Sequence, residues 1–99
     1  MDLKDQILAY IKENKDVITA KYSLTTIALF GSISTGDYTD DSDIDLLVEF
    51  KPNTPNLRQT KKNIREEFKS VFNRDVDVCS KKYIKPYFRD IILNQAIYV

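Results

Sequence analysis

The sequence predicts an α+β fold, a small mixed β-sheet of three to four strands packed with helices. Two short apolar, β-prone runs, Thr26–Phe30 and Asp43–Phe50, are followed by one alternating run, Arg74–Ser80. Segments with apolar residues at helical spacing stand before, between and after them. The 99 residues give room for one domain, residues 1–99, and a chain with 42% hydrophobic and 11% aromatic residues can build a core.

Leu3, Ile7, Leu8 and Ile11 recur at helical spacing and predict an amphipathic helix from residue 2 to about 14, extendable to Tyr22 through Val17 and Ile18. The run TIALF at 26–30 reads as a buried strand that ends at Gly31. Ser32 to Asp37 suits a short helical turn stopped by Gly36. Asp43 to Phe50 is the second strand, with Ile44, Leu46, Val48 and Phe50 forming one apolar face. Lys51 to Asn56, with Pro52 and Pro55, is a loop. Leu57, Ile64, Phe68, Val71 and Phe72 define the buried face of a helix over 57–72. In RDVDVCS, Val76 and Val78 point one way while Asp75, Asp77 and Cys79 point the other. Pro86 fits the first turn of a helix over about 85–95, with Tyr87, Phe88, Ile91 and Ile92 facing inward, and Ala96–Val99 suits an edge strand.

Several function classes are excluded early. The chain has no histidine, so Ser-His or Cys-His catalysis and His-type zinc sites cannot be built from it. Its single cysteine, Cys79, allows no internal disulfide; it reads as a packing residue and fits a reducing, cytoplasmic setting. No apolar run is long enough to span a membrane, and MDLKDQILAY lacks the regions of a signal peptide. An EF-hand starting at Asp37 fails, because its sixth position is Ser42 and its twelfth Val48; no Gly-Lys-Ser/Thr makes a P-loop. Tyr22 and Tyr38 read as surface or rim aromatics. Charge divides unevenly: residues 1–50 carry four basic and ten acidic side chains, residues 51–99 eleven and five. Such a division suits a magnesium-nucleotide, while Lys61, Lys62, Arg65 and Lys69 read as the solvated face of a helix.

The chemistry concentrates in GSISTGDYTDDSDIDLLVEF, Gly31 to Phe50. Asp43 and Asp45 share a strand face roughly 6.6–6.8 Å apart. Carboxylates so placed can converge on two divalent cations about 3.5–4 Å apart, an arrangement that serves phosphoryl and nucleotidyl transfer. Gly31 and Ser32, at a strand-to-helix turn, offer N–H groups and a hydroxyl to phosphate oxygens. A third carboxylate from the neighbouring strand would complete the site, and spacing alone leaves both Asp75 and Asp77 open. Without histidine or paired cysteine, the metal must be a hard cation held by oxygen, magnesium or manganese.

Gly31-Ser32, ten residues and then Asp43-Ile44-Asp45 resemble the signature of the DNA polymerase beta-like nucleotidyltransferase superfamily. The surrounding IALFGSISTGDYTDDSDIDLLVEF, the VDV strand and the closing KPYFRDIILNQAIYV resemble its minimal nucleotidyltransferase (MNT) branch over most of the chain. The resemblance implies a polymerase beta-like core. It implies that Asp43, Asp45 and Asp77, the last chosen over Asp75 by the match to Val76-Asp77-Val78, hold two Mg2+ ions and form the catalytic set, with Gly31 and Ser32 on the triphosphate. It implies transfer of AMP from ATP, or another NTP, to a hydroxyl group. The implied acceptor is a tyrosine of a HEPN-domain toxin that this chain restrains as antitoxin, with neither membrane nor nucleic acid as a direct partner. Larger relatives append a domain for the second substrate, so here the acceptor is expected to bring its own docking surface. One departure stands out: where the family often carries arginine between Ser32 and Gly36, this chain has Ile33-Ser34-Thr35. Lysine or arginine from residues 57–69 or 81–89 is the expected substitute. A binding-only antitoxin is the alternative function.

Overall fold

A computed structural model describes all residues from Met1 to Val99. In chain order the elements are α1 (Leu3–Glu13), α2 (Lys15–Tyr22), β1 (Leu24–Phe30), α3 (Gly31–Thr35), β2 (Ile44–Phe50), α4 (Leu57–Phe72), β3 (Val76–Ser80), a 3-10 turn (Lys81–Tyr83), α5 (Pro86–Gln95) and β4 (Ile97–Tyr98). The strands form one mixed sheet in the order β3-β2-β1-β4. β1 is antiparallel to both neighbours, whereas β2 and β3 run parallel. A parallel pair needs a long crossover, and α4 supplies it.

Alternation along the strands gives the sheet two apolar faces. Ile27, Leu29, Ile44, Leu46, Val48 and Val76 point to the first, where Ile7 and Ile11 of α1, Ile18 and Tyr22 of α2, and Ile64 and Phe68 of α4 close the main core. Ala28, Phe30, Leu47 and Cys79 point to the second and are covered by Ile84 and by Ile92, Leu93 and Ala96 at the end of α5. Cys79 thus packs between sheet and helix.

Four expectations need correction. The first helix does not continue to Tyr22 but breaks at Asn14, whose side-chain amide donates to the Tyr10 carbonyl (2.9 Å). The break turns Ile18 inward and leaves Val17 64% exposed. Tyr22 is not a rim residue; it is 5% exposed, and its hydroxyl donates to Glu67 (2.6 Å), which also accepts from Tyr10 (2.8 Å) and Lys21 (3.1 Å). That carboxylate ties α1 and α2 to α4. On α4 the inward stripe ends at Phe72, and Val71 lies on its edge, 46% exposed. The inward face of α5 differs from the expected one: Ile92 packs down, but Tyr87, Phe88 and Ile91 stand 84%, 47% and 57% exposed. Small Ala28 and Cys79 leave a shallow sheet face that Ile92, Leu93 and Ala96 already fill.

Strand bounds shift in a way that matters for the site. β2 begins at Ile44, not Asp43, and β3 at Val76, not Arg74. Asp43 and Asp75 are therefore the residues just before the two strands, joined across the gap by the Ile44 N–H donating to the Asp75 carbonyl (2.9 Å).

Candidate active site

The parallel register sets Asp45 opposite Asp77, so two carboxylates occupy neighbouring strands about 4.8 Å apart on the α5 side of the sheet. The antiparallel register sets Phe30 opposite Asp45 on the other flank, which delivers the chain into Gly31 directly above that carboxylate. Gly31 adopts φ +77, and a Cβ there would fall on Asp45 Oδ2 and within 2.9 Å of its Cγ. Only glycine leaves both the backbone conformation and the carboxylate undisturbed. The Gly31-Ser32 turn and Asp45 thus form one packed unit.

Electrostatics follow from this crowding. Asp45 is half-buried, and its pKa is pushed from 3.8 to about 6, first by burial and then by the charges of Asp77 and Asp43. Burial, with the Asp77 and Asp45 charges behind it, also raises the Cys79 thiol. Asp43 and Asp77 are exposed and act on Asp45 through charge. As they stand, no three acidic, cysteine or histidine side chains gather closely enough to enclose a cation. The donor set itself is oxygen only and carries like charges with no cation between them, which fits a hard divalent ion. Asp75 lies apart: it pairs with Lys69 of α4 (2.9 Å) and causes none of the Asp45 shift.

Two residues were not singled out from sequence. Arg74 Nη1 donates to the carbonyls of Thr39 (3.0 Å) and Ser42 (2.9 Å), and its guanidinium lies 5.8 Å from the centre of the Tyr38 ring. With the Thr39 N–H donating to Ser42 Oγ (2.9 Å), this closes the loop that delivers Asp43. Ser42 and Ile44 are both tied to residues 74 and 75, so Asp43 is held on either side. Ser34, 6% exposed, places its hydroxyl 2.8 Å from the Gln95 carbonyl and 3.0 Å from that of Gly31, joining α3 to the end of α5. Nothing in a Ser-Thr-Gly string separates such a serine from a solvated one; an arginine beside an alternating strand was the readable signal. Ile33 is fully buried in the main core, so of Ile33, Ser34 and Thr35 only Thr35 faces solvent.

A sheet that presents carboxylates under a glycine-serine turn sets cation-binding oxygens beside N–H groups that can meet phosphate. The Nucleotidyltransferase domain family model matches residues 11–99. A candidate protein adenylyltransferase of Methanocaldococcus jannaschii is 33% identical over 100 residues, covering 100% of each chain. A minimal nucleotidyltransferase structure superposes with a TM-score of 0.77 at 25% identity, covering 98% of this chain and 95% of the other. The MNT antitoxin complex with a tri-AMPylated HEPN toxin of Shewanella oneidensis contributes a further neighbour, with a TM-score of 0.60, 22% identity and coverage of 90% and 69%. The chain belongs to the nucleotidyltransferase domain family, in its minimal nucleotidyltransferase branch.

Proposed function

We propose that this protein transfers AMP from ATP to a hydroxyl of a macromolecular acceptor, a tyrosine of a HEPN-domain toxin, and so acts as its antitoxin in the cytoplasm. The observation that carries the reading is the Asp45 carboxylate, packed under Gly31 and loaded by the charges of Asp77 and Asp43. Asp43, Asp45 and Asp77 offer the oxygen donors for two magnesium ions, with manganese as the substitute. When bound, the ions supply charge neutralisation at the α-phosphate and a lowered pKa for the attacking hydroxyl. Gly31 and Ser32 receive the β- and γ-phosphates through backbone N–H groups and a hydroxyl, so that pyrophosphate departs away from the acceptor. Arg74 keeps Asp43 in reach of Asp45, and Gly31 excludes any side chain from the phosphate path.

The test uses the purified protein with its cognate HEPN partner, magnesium and ATP labelled in the α-phosphate. Label should appear on the partner with release of pyrophosphate, and Asp43→Asn should still bind the partner while transferring nothing. One observation favours a second reading, the binding-only antitoxin: α3 carries no cation, and Ile33 is locked in the core. Full neutralisation of the toxin in cells by Asp43→Asn would establish that alternative.

A further inference from the structure

A cleft of about 640 Å³ lies away from the carboxylates. It opens past the C-terminal ends of β2 and β3, lined by the segments that follow them, by Leu57 of α4 and by Arg89 of α5. Glu49 is four residues past Asp45 and Lys81 four past Asp77, a separation of roughly 13 Å along each strand. Cations from three separate segments converge there: Lys51 after β2, Lys81 and Lys82 after β3, and Arg89 on α5. The one carboxylate in the lining, Glu49, is taken by Lys81 at 3.1 Å, and no ion pair engages the other three. Net positive charge thus gathers in a concave site with no partner from the fold to balance it. Two further features suit a ligand. Ser80 lines the cleft at 6% exposure, and Tyr83 stands 64% exposed with the ammonium groups of Lys82 and Lys61 at 5.8 and 6.0 Å from its ring centre.

We propose that this cleft is a second anion site that takes a phosphate-bearing ligand of nucleotide size, independent of the carboxylate site. Lys51, Lys82 and Arg89 meet the phosphates, and Tyr83 offers a ring face on which a base can stack. The cleft's volume of about 640 Å³ suits a free nucleotide better than an extended strand. The same phosphate chemistry could also come from an inorganic polyphosphate, and the two sources differ in whether Tyr83 contributes.

Metal-free conditions isolate the site, because an anion without magnesium is repelled by Asp43, Asp45 and Asp77. Titrating the whole protein in EDTA with ADP and with pyrophosphate, followed by amide shifts and calorimetry, should show saturable binding with shifts centred on Ser80, Lys82 and Tyr83. Lys82→Ala and Arg89→Ala, both at exposed positions, should each weaken it at least fivefold, and rising salt should weaken it further. Asp45→Asn should leave those shifts in place. ADP binding at least fivefold tighter than pyrophosphate, with the margin lost in Tyr83→Ala, identifies a nucleotide; equal binding that Tyr83→Ala does not alter identifies a polyphosphate. Absence of binding, or binding that Lys82→Ala and Arg89→Ala leave unchanged, overturns the proposal. Binding of an eight-nucleotide single-stranded RNA but not of ADP also overturns it, in favour of a nucleic-acid surface.

Discussion

Replacing Asp45 with asparagine should stabilise the metal-free protein at neutral pH, although it removes a proposed metal ligand. The native pKa is raised from 3.8 to about 6 by burial and by the Asp77 and Asp43 charges. Two pKa units correspond to about 3 kcal/mol. Asp45 is only half-buried, and solvent screening reduces this to about 1–1.5 kcal/mol. The sign follows from proton counting. Below pH 3.8 the carboxyl is protonated in both folded and unfolded chains, and nothing is lost. Between 3.8 and about 6 the native state holds the extra proton, so stability falls as pH rises; above about 6 the loss is complete. Asp45→Asn removes that loss while keeping the shape that packs under Gly31. At about 1 kcal/mol, a domain of this size gains roughly 4–8 °C in melting temperature. Thermal unfolding followed by circular dichroism in EDTA should show this gain at pH 7.5 and none near pH 3.5. A variant that melts below wild type at pH 7.5, or a gain of equal size at both pH values, would refute the electrostatic account.

Asp77→Asn should remove nearly all adenylyl transfer, and Asp75→Asn should be mild, since Asp75 is turned to Lys69; the reverse ranking in a labelled-ATP assay would reassign the third ligand. Gly31→Ala should cost at least about 2 kcal/mol in urea unfolding, from its positive φ and the overlap with Asp45, and adding Asp45→Ala should return part of it. Arg74→Ala should cost about 1–3 kcal/mol by freeing the Thr39 and Ser42 carbonyls, and should raise several-fold the magnesium concentration needed for half-maximal transfer; an unchanged magnesium requirement would show that the loop does not position Asp43. Thr35→Arg restores a cation at the exposed position of α3 and should lower the KM for ATP about fivefold, near 1 kcal/mol for a screened charge-assisted contact.

What could be read from the sequence follows where one force dominates. Period-two alternation in β2 and helical spacing in α4 both reflect burial of a single apolar face, and Leu46, Val48, Ile64 and Phe68 lie where that pattern puts them. The pattern misled at α5, where apolar residues occur on two sides and only the shallow sheet face decides which side packs. Asn14 was equally opaque, because a side-chain bond to a carbonyl four residues back leaves no periodic trace. Among site residues, Gly31, Asp43, Asp45 and Asp77 were candidates because of a spaced motif and a family resemblance. Where Asp75 and Asp77 diverge depends on the pairing of β2 with β3, which no local pattern encodes. Ser34 acts through a carbonyl distant in sequence, and composition carries no mark of that.

The parallel pairing of Asp45 with Asp77 also has a kinetic consequence. The two residues are 32 positions apart (77 − 45), and they meet only after α4 has crossed back to bring β3 alongside β2. Loop-closure entropy has to be overcome before that contact is rewarded, so such pairings form slowly. The β1–β2 pair, with its shorter connection, can already seat Gly31 over Asp45 before β3 arrives. The charge repulsion at the site therefore enters on the last approach, as Asp77 closes on a carboxylate already in place. Divalent cations present during refolding should act on that docking step, speeding the final phase rather than the early collapse of β1 and β2.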